Sequence, residues 1–522
     1  MDAAEPQAWQ ASSSKSPRFD ASLENEEDHG PSETTCHLLS LPAELLDAIL
    51  SHLSPIELAL VAGTCRHIHL HATADRQWLP RVQANVPGLV ISSPYPCRTF
   101  RELYGAHDPH WFLPKHKIWF CDRNLMGKII VVRYDPRRGC IEGYQLLAVS
   151  RRYASFQPWP ANSDVVIHDF RPQVKLHLDK PVLQFHVGDD LGIPAALIPS
   201  VTSKFQAETP MMLDNRPGYV FSNLSLARPV NDDVATEALS KAFPYDCIWP
   251  PRPIPAEHRV AGFAAVPTAV EALNERPQSR AEASDRAFRI RQWMDMANYV
   301  GSDSLPPIAV MPPRGPPLGP HIGEEINTYS TLDPALYTPT AHKPWRGIWV
   351  GDYSGHGCEF LLINQPDDKD ATDEELGLAR NASESDEDWA KRQLEARVYR
   401  GRLEAIKLTG DANVPRGEYT FIAEDLGPEG FAGAATEEPF VGARIVKSRG
   451  HVANTGYFSG MFSRLRISLL HMSPYCMHIG RDKYIPSQLF LISPNKLAQF
   501  WVDFGHISYF ERVDIDSLLT VS

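Results

Sequence analysis

At 522 residues the chain is long enough for two or three domains, or for one large β domain with insertions, and a 43% hydrophobic content supplies a sizeable core. Its 45 prolines against 32 glycines imply many rigid, irregular connections and argue against an all-helical protein. The net charge of −13 is carried by residues 1–33 and 366–388; the remainder is close to neutral, so nothing in the balance favours nucleic acid or an anionic membrane as a partner.

The eight cysteines (Cys36, Cys65, Cys97, Cys121, Cys140, Cys247, Cys358, Cys476) form no CxxC pair and have no regular spacing. That pattern fits a reducing compartment, with neither a disulfide framework nor a local cysteine zinc site. The N-terminus lacks the apolar stretch of a signal peptide, and no later run approaches the roughly 18 apolar residues of a membrane span. A cytoplasmic or nuclear location is expected, with no membrane partner.

Residues 1–36 are polar, acidic and Ser-rich, and are expected to be a disordered tail. A helical module is predicted over 37–85, then a linker over 86–120, then a β domain over 121–522. In that domain "KIIVVRY" and "IEGYQLLAV" flank "DPRRG" as a hairpin, and "VVIHDF", "VLQFHV", "GIWVGDY", "EFLLIN", "LEAIKL", "YTFIAEDL", "ARIVKS" and "RISLLHM" read as further strands. "QLFLISPNKLAQFWVDF" is the clearest hairpin, with its turn at Ser493 to Lys496. So many short strands favour an antiparallel barrel or sandwich. One helix is predicted inside the domain, because Ile290, Trp293, Met294 and Ala297 recur at helical spacing. "LPPIAVMPPRGPPLGP" at 305–320 reads as a polyproline-like covering strap, and about 364–392 as a disordered acidic insertion. The fold class is α+β: an all-helical N-terminal module, then a mainly antiparallel β-barrel with that insertion.

The module begins with "LPAELLDAILSHLSPIELALVAGTCRHIHLHA". Pro42 and Glu44 suit the first turn of a helix. Leu45, Leu46, Ile49, Leu50 and Leu53 spread over more than one narrow stripe, so this helix needs partners on two sides. Ser54 with Glu57 forms a capping box around Pro55 at N1. About 45 residues of such helices are too few for a self-sufficient core, which predicts a face covered by another protein.

Leu41-Pro42-x-Glu44-Leu45, Ile49-Leu50, Leu53-Ser54-Pro55, Leu58, Cys65-Arg66 and Trp78 resemble the F-box consensus. An F-box docks a substrate receptor on the Skp-type adaptor, and through it the cullin, of an SCF ubiquitin ligase. By that resemblance Leu41, Pro42, Ile49, Leu50, Leu53, Pro55 and Leu58 would line the adaptor contact, with Cys65 and Trp78 packed internally.

Gly351-Asp352-Tyr353-Ser354-Gly355-His356-Gly357-Cys358-Glu359 and the later Lys407, Thr409, Gly410, Asp411, Asn413, Pro415 and Gly417 look like the paired motifs of one F-box-only family. That family includes the vertebrate receptor for D-type cyclins, and the resemblance implies a β-barrel that captures a substrate's C-terminal end. Residues 120–190 hold two cysteines and three histidines but lack the family's Cys/His-rich cluster, so no metal site is carried over. Without the resemblance, the motif glycines read as turn and close-approach positions. Trp349, Tyr353, His356, Glu359 and Trp501 are the candidate substrate-pocket residues, at a barrel mouth near the 353–359 turn.

No nucleophile elbow, H-x-x-x-H or phosphate loop accompanies them, so the expected protein is a non-catalytic substrate receptor without metal or cofactor. The alternatives are a lipocalin-like sensor of a small apolar ligand and an F-box scaffold outside a ubiquitin ligase. The two halves are expected to be separable.

Overall fold

A computed structural model of the chain describes residues 36–521 except 124, 150–155, 169, 188–204, 215–219, 240–247, 263–275, 295–323, 353–356, 367–370, 412–413 and 453–482. The acidic tail, the Pro-rich strap and the strand expected over "RISLLHM" lie outside the described residues.

Six helices come first: α1 Ala43–Ser51, α2 Pro55–Val61, α3 Arg66–Ala72, α4 Asp75–Gln83, α5 Phe100–His107 and α6 Phe112–His116. The last two occupy the stretch expected to be a linker. It is instead part of the core: Phe100, Leu103, Trp111 and Leu113 are buried in one cluster with Leu46, Leu50 and Trp78. Helices of eight and five residues have too few turns to print a legible period.

The strands are β1 Ile118–Cys121, β2 Ile129–Asp135, β3 Cys140–Val149, β4 Phe156–Trp159, β5 Asn162–His168, β6 Gln173–His186, β7 Glu208–Pro210, β8 Val220–Leu226, β9 Ile248–Trp249, β10 Val260–Ala261, β11 Ala287–Met294 and β12 Glu324–Thr331. They continue with β13 Gly347–Asp352, β14 Cys358–Asn364, β15 Leu403–Lys407, β16 Tyr419–Ala423, β17 Phe431–Ala434, β18 Arg444–Val452, β19 Lys483–Ser493, β20 Lys496–Trp501 and β21 His506–Arg512. The β2–β3 and β19–β20 hairpins stand where the turn residues placed them.

The single barrel expected over 121–522 is two bodies. An open antiparallel sheet takes the order β6-β3-β2-β1-β12-β11-β8-β7. The barrel proper runs β13-β14-β15-β16-β18-β19-β20-β21, and β21 closes it on β13 through Trp349↔Arg512 and Gly351↔Phe510. β17 is added to β18, and the β4–β5 hairpin joins the barrel where β5 runs parallel to β21.

The open sheet is the middle of three layers. On one face Trp119, Ile130, Val132 and Tyr134 pack with the helices. On the other, Ile118, Phe120, Ile129 and Val131 pack with Ile348, Val350 and Phe360 on the outer wall of the barrel. Burial on both faces explains the unbroken apolar run "IIVV", which alternation rules do not assign to a barrel.

The helix expected around Ile290 and Trp293 is strand β11, paired with β8 and β12 along its length. Phe288 and Ile290 point to the helical core, and Arg289 is buried against the carbonyl of Ala261 at 2.9 Å. A buried arginine hid the period of two, and Trp293 supplied a false period of 3.6. The disorder expected over about 364–392 is likewise corrected for residues 371–392. Ser385 caps the helix Asp386–Val398 by accepting from the Asp388 N–H (3.0 Å), and Arg397 to Asp373 and Arg392 to Glu384 pair at 2.7 Å. This helix has no fully buried residue; caps and ion pairs hold its length, and Val398 at its end packs against the apolar core of the barrel.

Candidate functional site

Two surfaces emerge from this framework, one on the helices and one inside the barrel. In the helical module, local chemistry fixes each turn. The Ser54 Oγ accepts from the Glu57 N–H (3.3 Å), and the Glu57 carboxylate accepts from the Ser54 N–H (2.8 Å), which holds that carboxyl below its usual range. Arg81 donates to the carbonyls of Leu53 (2.6 Å), Leu50 (3.2 Å) and Ser51 (3.2 Å), satisfying the last turn of α1 where a cation also suits the dipole. Cys65 caps α3 by accepting from the Ile68 N–H, and Trp78 donates to the Ala72 carbonyl at 2.8 Å.

These ties separate two aliphatic faces. Leu46, Leu50 and Leu58 are buried at 0%, 3% and 0% exposure, whereas Leu45, Ile49, Ile56 and Leu60 stand out at 53%, 44%, 51% and 66%. Of the seven residues expected to contact an adaptor, Leu50 and Leu58 therefore belong to the core. Pro42 and Ile49 are exposed, and Leu41, Leu53 and Pro55 are half-buried. Leu45, Ile56 and Leu60 were missed as surface residues, although the pairs Leu46/Leu50 and Leu45/Ile49, each four apart, encode two faces. Four large exposed aliphatics on two consecutive short helices are the kind of surface a folded chain leaves for a partner.

The barrel interior also has two parts. Trp349, Leu361, Ile363, Ala405, Phe421, Val446, Leu489, Leu497 and Phe510 fill one half with apolar side chains drawn from all eight strands. Stepping by twos along the same strands toward the other end gives Glu359, Lys407, Ser448, Ser487, Gln499 and Ser508, all buried. The Ser448 and Ser487 hydroxyls lie 2.7 Å apart, and Gln499 Nε2 donates to Ser487 Oγ at 3.2 Å. Among the described residues, Gln499 Oε1 and Trp501 Nε1 are buried without a hydrogen-bond partner. Lys407 contacts the Glu359 carboxylate and lies 3.1 Å from Asp411 Oδ2. Burial, opposed by Lys407, pushes the Glu359 carboxyl well above its usual range.

Aromatic and imidazole rings crowd this end of the barrel among the described residues. Trp501 lies against Gly450, where an added Cβ would come within 2.3 Å of its ring. His506 stacks on His168 at 5.2 Å and sits 6.1 Å from Trp501. His451 stacks on Tyr484 at 4.8 Å. Of the expected pocket residues, Trp501 is buried at this end of the barrel and Glu359 is buried in its interior against Lys407. Trp349 is instead in the apolar half, its Nε1 donating to the Trp345 carbonyl at 3.0 Å, so it packs the barrel. Tyr353 and His356 lie outside the described residues. Gln499, Ser487 and His506 were missed, because an isolated polar residue in an apolar strand carries no local signature.

The second motif is a joint between the barrel and the open sheet. The Gly410 and Arg416 N–H groups donate to the carbonyls of Met126 and Leu125, both at 2.8 Å, and Arg416 Nη2 donates to the Asp122 carbonyl at 2.6 Å. A Cβ on Gly410 would lie 2.3 Å from the Arg416 nitrogen, and one on Gly417, at φ +82°, would lie 2.3 Å from Pro251. Among the described residues, no cluster of three or more His, Cys, Asp or Glu is placed to hold a metal ion.

Residues 38–79 match the family model described as F-box-like, so the helical module is an F-box-like domain. Residues 329–517, from the end of β12 through the barrel, match the model described as Cyclin D1 binding domain, and with both domains in one chain the protein resembles the F-box receptor of D-type cyclins. No curated protein matches it. The first match implies binding to a Skp-type adaptor and the second a protein substrate. No catalytic family appears, and no described helix is long and apolar enough to cross a membrane.

Proposed function

We propose that this chain is the substrate-recognition subunit of an SCF-type ubiquitin ligase, joined to the cullin through the adaptor, and that its barrel mouth receives the C-terminal end of a protein substrate. The observation that carries the reading is the exposed set Leu45, Ile49, Ile56 and Leu60, on helices whose own core is already filled by Leu46, Leu50 and Leu58. Covering each such half-exposed side chain stabilises a complex by about 1–2 kcal/mol. The receptor performs no bond chemistry itself. It raises the local concentration of substrate lysines near activated ubiquitin, so its contribution is proximity.

At the other surface, Gln499 Oε1 and Trp501 Nε1 offer an acceptor and a donor, and a polar segment entering the mouth would satisfy both. Stacked rings beside them suit an extended chain end. A small apolar ligand is less well served, because side chains already occupy the apolar half of the interior. The residues that would contact either partner remain part of this proposal.

Affinity capture of the full chain with the proteasome blocked tests the reading. Adaptor and cullin should co-purify, and Trp501→Phe combined with Gln499→Leu should lose substrate proteins while keeping both. Recovery of the adaptor without cullin would favour a scaffold outside a ubiquitin ligase and overturn the proposal.

A further inference from the structure

The segment after β21 belongs to neither surface, yet it touches all three layers. The Val513 N–H donates to the Ile348 carbonyl of β13 at 2.8 Å, and Val513 and Ile515 are buried with the outer wall of the barrel. Asp516 pairs with Lys117, the residue that ends α6. Arg133 of β2, held by Glu142 at 2.8 Å, donates to the carbonyls of Leu518 (3.4 Å) and Thr520 (3.2 Å). Buried Leu519 then forms one wall of a small crevice whose other walls are Val86, Pro87 and Leu89, just past α4, together with Pro114 and Val132. Gly88, at φ +78°, lies directly beneath it, with room for a Cβ only 3.4 Å from the Leu519 side chain.

We propose that residues 513–520 are a positioning strap, with Leu519 as its anchor, that fixes the orientation of the barrel relative to the exit of the F-box helices. The helix–sheet and sheet–barrel interfaces are separate apolar clusters, so neither one by itself ties the helices to the barrel. A segment bonded to the barrel at Ile348, to the sheet at Arg133 and to the helix exit at Val86–Leu89 spans both joints at once. The inference rests on the receptor reading, in which the span from adaptor face to substrate mouth decides which lysines reach activated ubiquitin.

The test uses the full chain alone, so its outcome is independent of whether the receptor reading survives. Fluorescent noncanonical residues at His52 and Val441, both exposed, report the distance distribution between module and barrel. The wild-type distribution should be narrow. Leu519→Asp should broaden it at least twofold, and Leu519→Met should keep it narrow, with hydrogen-exchange protection of the barrel strands unchanged in both. An unbroadened Leu519→Asp distribution overturns the strap. So does broadening accompanied by loss of protection throughout the barrel, which would mark Leu519 as a residue of general stability.

Discussion

His107 and His110 carry their rings inside the helix–sheet core, and His506 carries its ring beside Trp501 at the barrel mouth. Burial pushes His107 down to about 4, His110 to about 3 and His506 to about 4, with a neighbouring histidine adding to each shift. Their folded values lie below the ordinary value of 6.5, so the unfolded chain binds more protons once pH falls below that value. The stability they contribute is complete above about pH 6.5 and is lost as pH falls toward 4 and then 3. Urea midpoints should be level from pH 7.5 to about 6.5 and fall from there to pH 4.5, and a profile flat throughout would contradict the neutral burial of these rings. Gly410→Ala is predicted to cost more than about 2 kcal/mol, because its Cβ would strike the Arg416 backbone, which cannot retreat without opening the joint to residues 125–126. A melting temperature within a degree of wild type would show that joint to be slack. At this scale the sequence was readable wherever a residue has a local partner, as with Ser54 and Glu57. Trp349, Leu50 and Leu58 were misplaced because identity gives a side chain's chemistry but not which of two buried layers it faces.

Elements were legible in proportion to how completely one face is exposed. The β2–β3 and β19–β20 hairpins carry turn residues between alternating strands, and α2 carries a full capping box, so all were found from the residues alone. β11 reads as a helix and α5 and α6 as a linker from the residues alone, since both stretches lie where partners on two sides replace the water that would impose alternation. The same capping argument yields a prediction. Ser54→Ala should remove the acceptor for Glu57 and cost about 1 kcal/mol, read as a lower urea midpoint for the helical module. No change would mean that Pro55 and Arg81 alone define the turn.

For the whole molecule the expectation of two separable halves meets a continuous core. Trp78 of α4 packs on Tyr104 of α5 at 5.4 Å, Tyr104 on Trp111 at 6.2 Å, and Trp111 on Tyr134 of the open sheet at 5.7 Å. Deleting residues 1–85 would bare this aromatic ladder. The remainder should therefore bind an apolar dye and self-associate, and a monodisperse fragment with a cooperative melt would restore the modular picture. The architecture as a class, helices and then antiparallel β structure, was readable from periodicity and turn residues. The division into sheet and barrel was not, because it depends on which distant strands pair, such as β1 with β12 and β13 with β21.

The central claim is that the exposed aliphatic face of α1 and α2 is the surface that joins this protein to its adaptor. Calorimetric titration of a purified Skp-type adaptor into the full chain, compared with Ile49→Asp combined with Leu60→Asp, tests it most directly. Both residues are exposed, so the double variant should keep the wild-type melt while its affinity falls by about 30-fold or more, the equivalent of the roughly 2–4 kcal/mol expected from covering two half-exposed aliphatics. Unchanged affinity in a folded double variant would contradict the account.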